Sequence, residues 1–204
     1  MDRELEMFEQ ELEAFFLEFV STGAFWIALA AIAGVLIFGV LCYVFHAVGL
    51  SKIAKRRVVS GRWMAWFPLL DLWLLGNVCD RYLMEVKGKE SHKRKTLLGL
   101  TIAILALGMV SSLLGFVTGF MAGMGMEEGI WMAIPVLVIS VASLVLTLIL
   151  VIHQYIAYYH VYYSCNPDSA AVLTVFSVLF PVIIPFVMFA LRNKVNGMPP
   201  SKIR

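Results

Sequence analysis

Long apolar runs are the feature that most constrains this chain. Three stretches, 24–49, 96–124 and 130–164, contain no Asp, Glu, Lys or Arg. Such runs are typical of membrane-spanning helices, because about 20 apolar residues are needed to cross a hydrocarbon core of ~30 Å. The chain has 204 residues and is 61% hydrophobic, which is more than a soluble domain of this size needs. The sequence therefore predicts an all-α, polytopic integral membrane protein with three full spans.

Charge is distributed in blocks along the chain, although its net value is only +2. Residues 1–20 carry seven carboxylates and one arginine, whereas 50–95 carry eleven Lys or Arg. Short loops rich in lysine and arginine stay in the cytoplasm, so we expect the loop 50–95 to be cytoplasmic and the N-terminus to be outside. This pattern indicates membrane orientation and not nucleic-acid binding.

Residues 1–22 are predicted to form an acidic amphipathic helix outside the membrane, ahead of a single transmembrane helical domain at 23–204. Leu5, Phe8, Leu12 and Phe15 recur every three or four positions, and glutamates fill the other face. Anionic lipid repels an acidic face. We therefore expect this helix to lie against the protein, to lead into the first span, or to bind a partner.

Two further apolar segments contain proline, and how they meet the membrane decides the topology. The first, 63–79, holds Pro68 and Asp71 and has a basic block on each side. A crossing would leave one block outside, against the positive-inside rule, so we expect this segment to re-enter from the cytoplasm or to lie along the interface. The second, 171–191, is long enough to span. Re-entry with bends at Pro181 and Pro185 would keep the basic tail inside, and both alternatives stay open.

Motifs in both halves of the chain resemble those of a known group of proteins. GLSKIAKRR, WMAWFP and LLGNVCDRY, with FALRNK and GMPP near the end, are similar to segments of a family of multi-pass membrane proteins from Gram-positive bacteria (Firmicutes). The resemblance covers most of the chain from about residue 40. It implies a location in the bacterial plasma membrane and implies no particular activity.

Asp71, Asn77 and Asp80 form the candidate polar site. A carboxylate within a membrane is costly, so it indicates a functional site by default. Asp71 could line an ion or proton path, or hold a cation with Asn77. Alternatively, it caps a half-helix at the interface or pairs with Arg62 or Arg81. Asp80 is interpreted as a solvated ion pair with Arg81.

Small residues recur at helical spacing on one face of the second span, namely Gly108, Ser112, Gly115, Gly119 and Gly123. Such a face lets another helix approach closely within a membrane. This glycine stripe is predicted to pack within the monomer or to form a homodimer.

Two basic stretches, KIAKRR and KGKESHKRK, are predicted to bind anionic headgroups at ~1 kcal/mol per charge near the surface. The residues concerned are Lys55, Arg56, Arg57, Lys93, Arg94 and Lys95. Alternatively these charges set orientation alone, and the two roles are compatible.

The chain contains no pattern that indicates catalysis, a metal or a cofactor. His46, His153 and His160 lack further ligands at metal-binding spacing, and the three cysteines form no CxxC motif. We therefore expect no enzyme and no cofactor. The expected function is a non-enzymatic scaffold or partner-binding subunit that acts through helix packing, with the lipid bilayer and a membrane protein as partners. The alternative is a small channel or transporter with a polar path near Asp71.

Overall fold

The computed structural model describes residues 2–21, 23–124, 128–194 and 196–197, and all regular structure in them is helical. Seven α-helices and two short 3₁₀ helices follow one another in these residues: α1 Asp2–Ser21, α2 Gly23–Arg56, a 3₁₀ helix Arg62–Trp66, α3 Leu70–Lys87, α4 Lys93–Gly123, α5 Glu128–Cys165, α6 Ala170–Leu179, a 3₁₀ helix Pro181–Ile183, and α7 Ile184–Leu191. Three stretches are long and apolar enough to span a membrane: Phe25–Arg56, Lys93–Met121 and Ile134–Cys165. The predicted all-α polytopic fold with three spans is confirmed.

The chain divides into two compact units, 1–43 and 44–204, which are described separately. The first unit contains α1 and the beginning of α2. The helix predicted at 1–22 is present as α1, and its side chains Phe8, Leu12 and Phe15 are exposed. Whether α1 lies outside the membrane stays a prediction.

The buried core of the second unit lies where α2 and α5 end. Leu50 and Ile53 from α2 are buried there in one cluster with Val161, Tyr162 and Cys165 from α5. The same cluster includes side chains from α3, α4, α6 and α7, namely Leu74, Leu75, Val78, Tyr82, Leu97, Ala170 and Met188. By contrast, none of the most apolar window of α5 is buried. Tight packing is therefore concentrated at one end of the spans.

The segment between α2 and α4 leaves this end of the spans and returns to it. After α2 the chain turns at Gly61, whose φ of 81° is a left-handed conformation that favours glycine. In the first turn of α3, Asp71 lies beside His46 of α2. At ~1.5 Å per residue, His46 is about 15 Å from Arg56, the last residue of α2. α3 runs back until Asp80 contacts the backbone of Lys93, the first residue of α4.

The segment after α5 also returns to its starting point. α6 has 10 residues and α7 has 8, so each is too short to cross a ~30 Å hydrocarbon core. They are separated at Phe180–Pro181, because proline disfavours a helical conformation at the residue before it. The N–H groups of Asn196 and Gly197 donate to the carbonyls of Cys165 (3.1 Å) and Ser164 (3.2 Å). The chain therefore returns to the end of α5 after α7, and whether 171–191 re-enters the membrane or spans it stays a prediction.

Candidate functional site

Asp71 faces a histidine in the interior of the second unit. Its Oδ2 lies 3.8 Å from Nε2 of His46, and the two side chains are only 17% and 12% exposed. The ring of Tyr158, from α5, meets the imidazole edge to face at a centroid distance of 6.2 Å. Three helices, α2, α3 and α5, thus enclose one carboxylate. The interpretation that Asp71 pairs with Arg62 or Arg81 is wrong, because the ionisable side chain beside its carboxylate is that of His46.

The environment of Asp71 favours its protonated form. Burial raises the pKa of this carboxyl from 3.8 to about 6, although backbone N–H groups at the start of α3 act in the opposite direction. Its Oδ1 is buried and accepts no hydrogen bond from the described residues. A separation of 3.8 Å from Nε2 is also too long for a direct hydrogen bond. Asp71 is therefore a carboxyl group that the fold solvates incompletely.

Asn77 and Asp80 lie elsewhere, on a different side of α3. They line an open cavity of about 370 Å³, whose other lining residues are Arg81, Met84, Glu90, Ser91, His92 and Arg94. Asp71 is not part of that lining, since six residues along an α-helix correspond to a rotation of about 240° from it. The three residues of the predicted polar site thus form two separate environments.

Asp80 caps the N-terminus of α4. Its two carboxylate oxygens accept hydrogen bonds from the backbone N–H groups of Lys93 (2.9 Å) and Arg94 (3.2 Å). Asp is favoured there because the first amides of a helix lack intrahelical acceptors and carry partial positive charge. The interpretation of Asp80 as a solvated pair with Arg81 is wrong, because Arg81 pairs with Glu85 one turn later.

Two arginines at the end of α2 hold the ends of other helices. Arg56 donates to the carbonyl and the side-chain oxygen of Asn193, just after α7. Arg57 is only 2% exposed and donates through Nη2 to the carbonyl of Ser164 in the last turn of α5 (2.9 Å). A cation is stabilised at that position by the partial negative charge of the helix terminus.

These placements divide the predicted headgroup-binding residues. Arg57 faces the protein interior, so its predicted role at headgroups is wrong. Lys55 and Lys95 are exposed, whereas Arg56, Lys93 and Arg94 are half-buried. For these five residues headgroup binding stays a prediction.

The glycine stripe of α4 contacts no other part of the described chain closely. A Cβ placed on Gly108, Gly115, Gly119 or Gly123 would meet no atom within 4 Å. The Ser112 hydroxyl donates to the carbonyl of Gly108 within the same helix. Packing within the monomer was one of the two predicted roles of this stripe. The described residues show no such packing.

Close helix approaches occur instead at two glycines that sequence reasoning missed. A Cβ on Gly49 would lie 2.6 Å from the backbone carbon of Met188, and one on Gly76 would lie 2.5 Å from Cα of Arg94. Each of them is an isolated glycine within a helical pattern. Such a glycine lowers helix stability, so its presence indicates a packing requirement, and this is the signal that could have identified both positions. Gly49 thus lets α7 approach α2, and Gly76 lets α4 approach α3.

The described residues contain no group of three His, Cys, Asp or Glu side chains that could hold a metal ion. Cys79 and Cys165 are buried free thiols. Burial raises the pKa of Cys79 to about 12, so this thiol is a poor nucleophile near neutral pH.

Comparisons with known proteins give no indication of the function of this chain. No protein-family model, curated protein or solved structure matches this chain. The resemblance of its motifs to membrane proteins of Gram-positive bacteria stays a prediction.

Proposed function

We propose that this chain is a non-enzymatic scaffold of the bacterial plasma membrane that binds its partner through helix packing. In this proposal α1 lies outside and the loop 50–95 is cytoplasmic, and both proline-bent segments enter the membrane from the cytoplasmic side. The positive-inside rule supports this orientation. The segment between α2 and α4 and the segment after α5 both return to one end of the spans, and basic residues lie at that end: Lys93 contacts Asp80, and Arg56 contacts Asn193.

The observation that carries the proposal is that charged groups of the candidate sites bind other parts of the same chain. Asp80 caps α4 and Arg57 binds the end of α5, whereas Asp71 is enclosed beside His46 without a direct hydrogen bond to it. A transport path would need Asp71 and Asn77 beside one polar cavity, and they lie on different sides of α3. These contacts fix the ends of the helices relative to one another, which is what a rigid packing platform requires.

The surface proposed for packing is the glycine stripe of α4, and its proposed occupant is a second copy of this chain. Gly115, Gly119 and Gly123 follow one another at intervals of four, and each has open space above it. Two identical helices with such faces can approach closely in a bilayer, where packing and not hydrophobic burial drives association. The stripe is continuous with exposed apolar side chains such as Phe116 and Phe120.

Energy transfer between donor- and acceptor-labelled copies in liposomes tests this proposal. We expect transfer for the unaltered chain and its loss for Gly119→Leu, because a large side chain separates the helices. The matched control is Gly99→Leu. Gly99 also has no atom within 4 Å of its Cβ position, but it lies on the opposite side of α4, about 200° around the helix from Gly119.

Two results would overturn parts of this proposal. Transfer that persists in Gly119→Leu would show that any association does not use the stripe. Proton or ion flux through liposomes that is present in the unaltered chain and absent in Asp71→Asn would favour the channel or transporter over the scaffold.

A further inference from the structure

A second cavity lies between the end of α2 and the 3₁₀ helix that follows it. It has a volume of about 400 Å³ and is lined by Ser51, Gly61, Arg62, Trp63 and Trp66. None of these residues belongs to the candidate polar site or to the glycine stripe. The cavity is therefore unused by the proposed scaffold function, and an inference about it depends only on the membrane location of the chain.

The local backbone makes this surface concave. α2 ends at Arg56, and the left-handed Gly61 directs the chain back past the last turns of that helix. Ala65 is fully buried and anchors the 3₁₀ helix to the core. Trp63 is oriented by an edge-to-face contact with Phe67 at a centroid distance of 5.6 Å. Two indole rings and a guanidinium are thus placed opposite the Ser51 side of α2.

The charges around the cavity select an anion. Arg62 is exposed and makes no ion pair with any described residue. Lys55 is exposed one turn after Ser51 on the same face of α2. No lining residue is acidic, so a bound ammonium group would have no carboxylate to balance it. A guanidinium binds phosphate with two parallel hydrogen bonds, and the Ser51 hydroxyl is a further donor.

The apolar surroundings indicate that the phosphate belongs to a lipid. Trp63 is 58% exposed, Trp66 47% and Phe67 53%, so a continuous aromatic surface borders the cavity. Tryptophan is enriched at the membrane–water interface, where one part of the ring is apolar and the N–H remains wet. The cavity also lies at the end of the candidate span Phe25–Arg56, where a headgroup region would begin.

We propose that this cavity binds the headgroup of an anionic phospholipid. Arg62 and Ser51 bind the phosphate, Lys55 adds positive charge, and Trp63 and Trp66 pack against the glycerol and the first acyl carbons. This site shares Lys55 with the KIAKRR stretch and differs from both basic stretches in that it combines Arg62 with a defined aromatic cavity.

Thermal stabilisation of the purified, detergent-solubilised full chain by added lipid tests the proposal. The probes are phosphatidylglycerol, phosphatidylcholine and inorganic phosphate, each titrated separately. We expect phosphatidylglycerol to bind at least ~10-fold more tightly than phosphatidylcholine, since each 1.4 kcal/mol of additional interaction is a factor of 10. Inorganic phosphate is expected to give no comparable stabilisation, because it cannot contact the tryptophans.

Substitutions locate the binding. Arg62→Gln is expected to weaken phosphatidylglycerol binding about 10-fold, in line with the loss of a charged hydrogen-bonding partner. The control Lys194→Gln removes one positive charge from an exposed position outside the cavity lining and outside both basic stretches, and is expected to change binding less than ~2-fold. Because Arg62 is exposed, its variant is expected to keep the helical circular dichroism of the unaltered chain.

Three outcomes would overturn the proposal. Equal binding of phosphatidylcholine would show that the headgroup charge is not selected. Equal stabilisation by inorganic phosphate would show that the lipid part is not recognised. An equal effect of Arg62→Gln and Lys194→Gln would show that lipid binds through general surface charge and not in this cavity.

Discussion

The Asp71 carboxylate and the His46 imidazole face one another across 3.8 Å, in the interior where α3 begins beside α2. Oδ1 of Asp71 accepts no hydrogen bond there from the described chain. A buried carboxylate without full solvation by the protein destabilises the fold when it is ionised. Asp71 therefore makes the stability of this membrane protein depend on pH.

Asp71→Asn is expected to stabilise the protein near pH 8 and to lose this advantage near pH 3.5. The pKa of Asp71 is raised from 3.8 to about 6, so stability from this group is present below pH 3.8 and is lost as the pH rises to about 6. At ~1.36 kcal/mol per pKa unit, the difference in free energy of unfolding between variant and unaltered chain should change by about 3 kcal/mol over this range. Denaturant titrations in detergent at both pH values measure it.

The control for this prediction is Asp80→Asn, which replaces the same type of side chain at the cap of α4. Asp80 accepts two backbone hydrogen bonds, so its substitution should give no stabilisation at pH 8. A pH-independent difference between Asp71→Asn and the unaltered chain would contradict the assignment of Asp71 as the incompletely solvated group.

Gly76→Ala is expected to destabilise the protein by about 1–3 kcal/mol, or more if the backbone cannot move. The new Cβ would lie 2.5 Å from Cα and 2.6 Å from N of Arg94, so α3 and α4 would have to separate. The measurement is the free energy of unfolding in detergent micelles. Gly99→Ala is the matched control, because alanine there meets no atom within 4 Å and favours the helix by up to ~1 kcal/mol. A Gly76→Ala variant as stable as Gly99→Ala would refute the close approach of α3 and α4.

A buried hydroxyl pair connects α5 to the returning hairpin. Tyr162 and Ser177 are both fully buried, and their hydroxyl oxygens are 3.2 Å apart. Ser177→Ala should cost about 1–3 kcal/mol, because it leaves the phenolic hydroxyl without this partner. The double variant with Tyr162→Phe should cost less than the sum of the single changes, with a coupling energy of about 1 kcal/mol.

The control for this cycle pairs Tyr162→Phe with Thr174→Val. The Thr174 hydroxyl donates within its own helix, to the carbonyl of Ala170, so the two changes should be additive. Additivity in the Tyr162–Ser177 cycle as well would mean that the hydroxyl pair does not stabilise the attachment of α6 to α5.

Local pattern was sufficient to predict part of this fold. The three spans follow from stretches without charge, and the breaks at Phe67–Pro68 and Phe180–Pro181 follow from the restriction that proline places on its predecessor. The pairing of Asp71 with His46 could not be predicted, because it depends on which helices are neighbours. For the same reason Arg57 was indistinguishable from Arg56 in a basic run, although only Arg57 is buried. The glycine stripe of α4 is a regular pattern that is easily recognised in the sequence. The close approach between α3 and α4 occurs instead at Gly76, an isolated glycine.

Single cysteines introduced at Gly23, Lys89 and Lys194 test the proposed topology in intact cells. All three positions are exposed, so a membrane-impermeant maleimide can reach whichever of them lie outside. We expect Gly23→Cys to react before lysis, and Lys89→Cys and Lys194→Cys to react only after lysis, because in the proposed topology both proline-bent segments return to the cytoplasmic side. The unaltered chain is the background control: Cys79 and Cys165 are buried, and Cys42 is partly buried within the candidate span Phe25–Arg56. Labelling of Lys194→Cys from outside would mean that α6 and α7 cross the membrane together, and labelling of Lys89→Cys from outside would reverse the orientation of the whole chain.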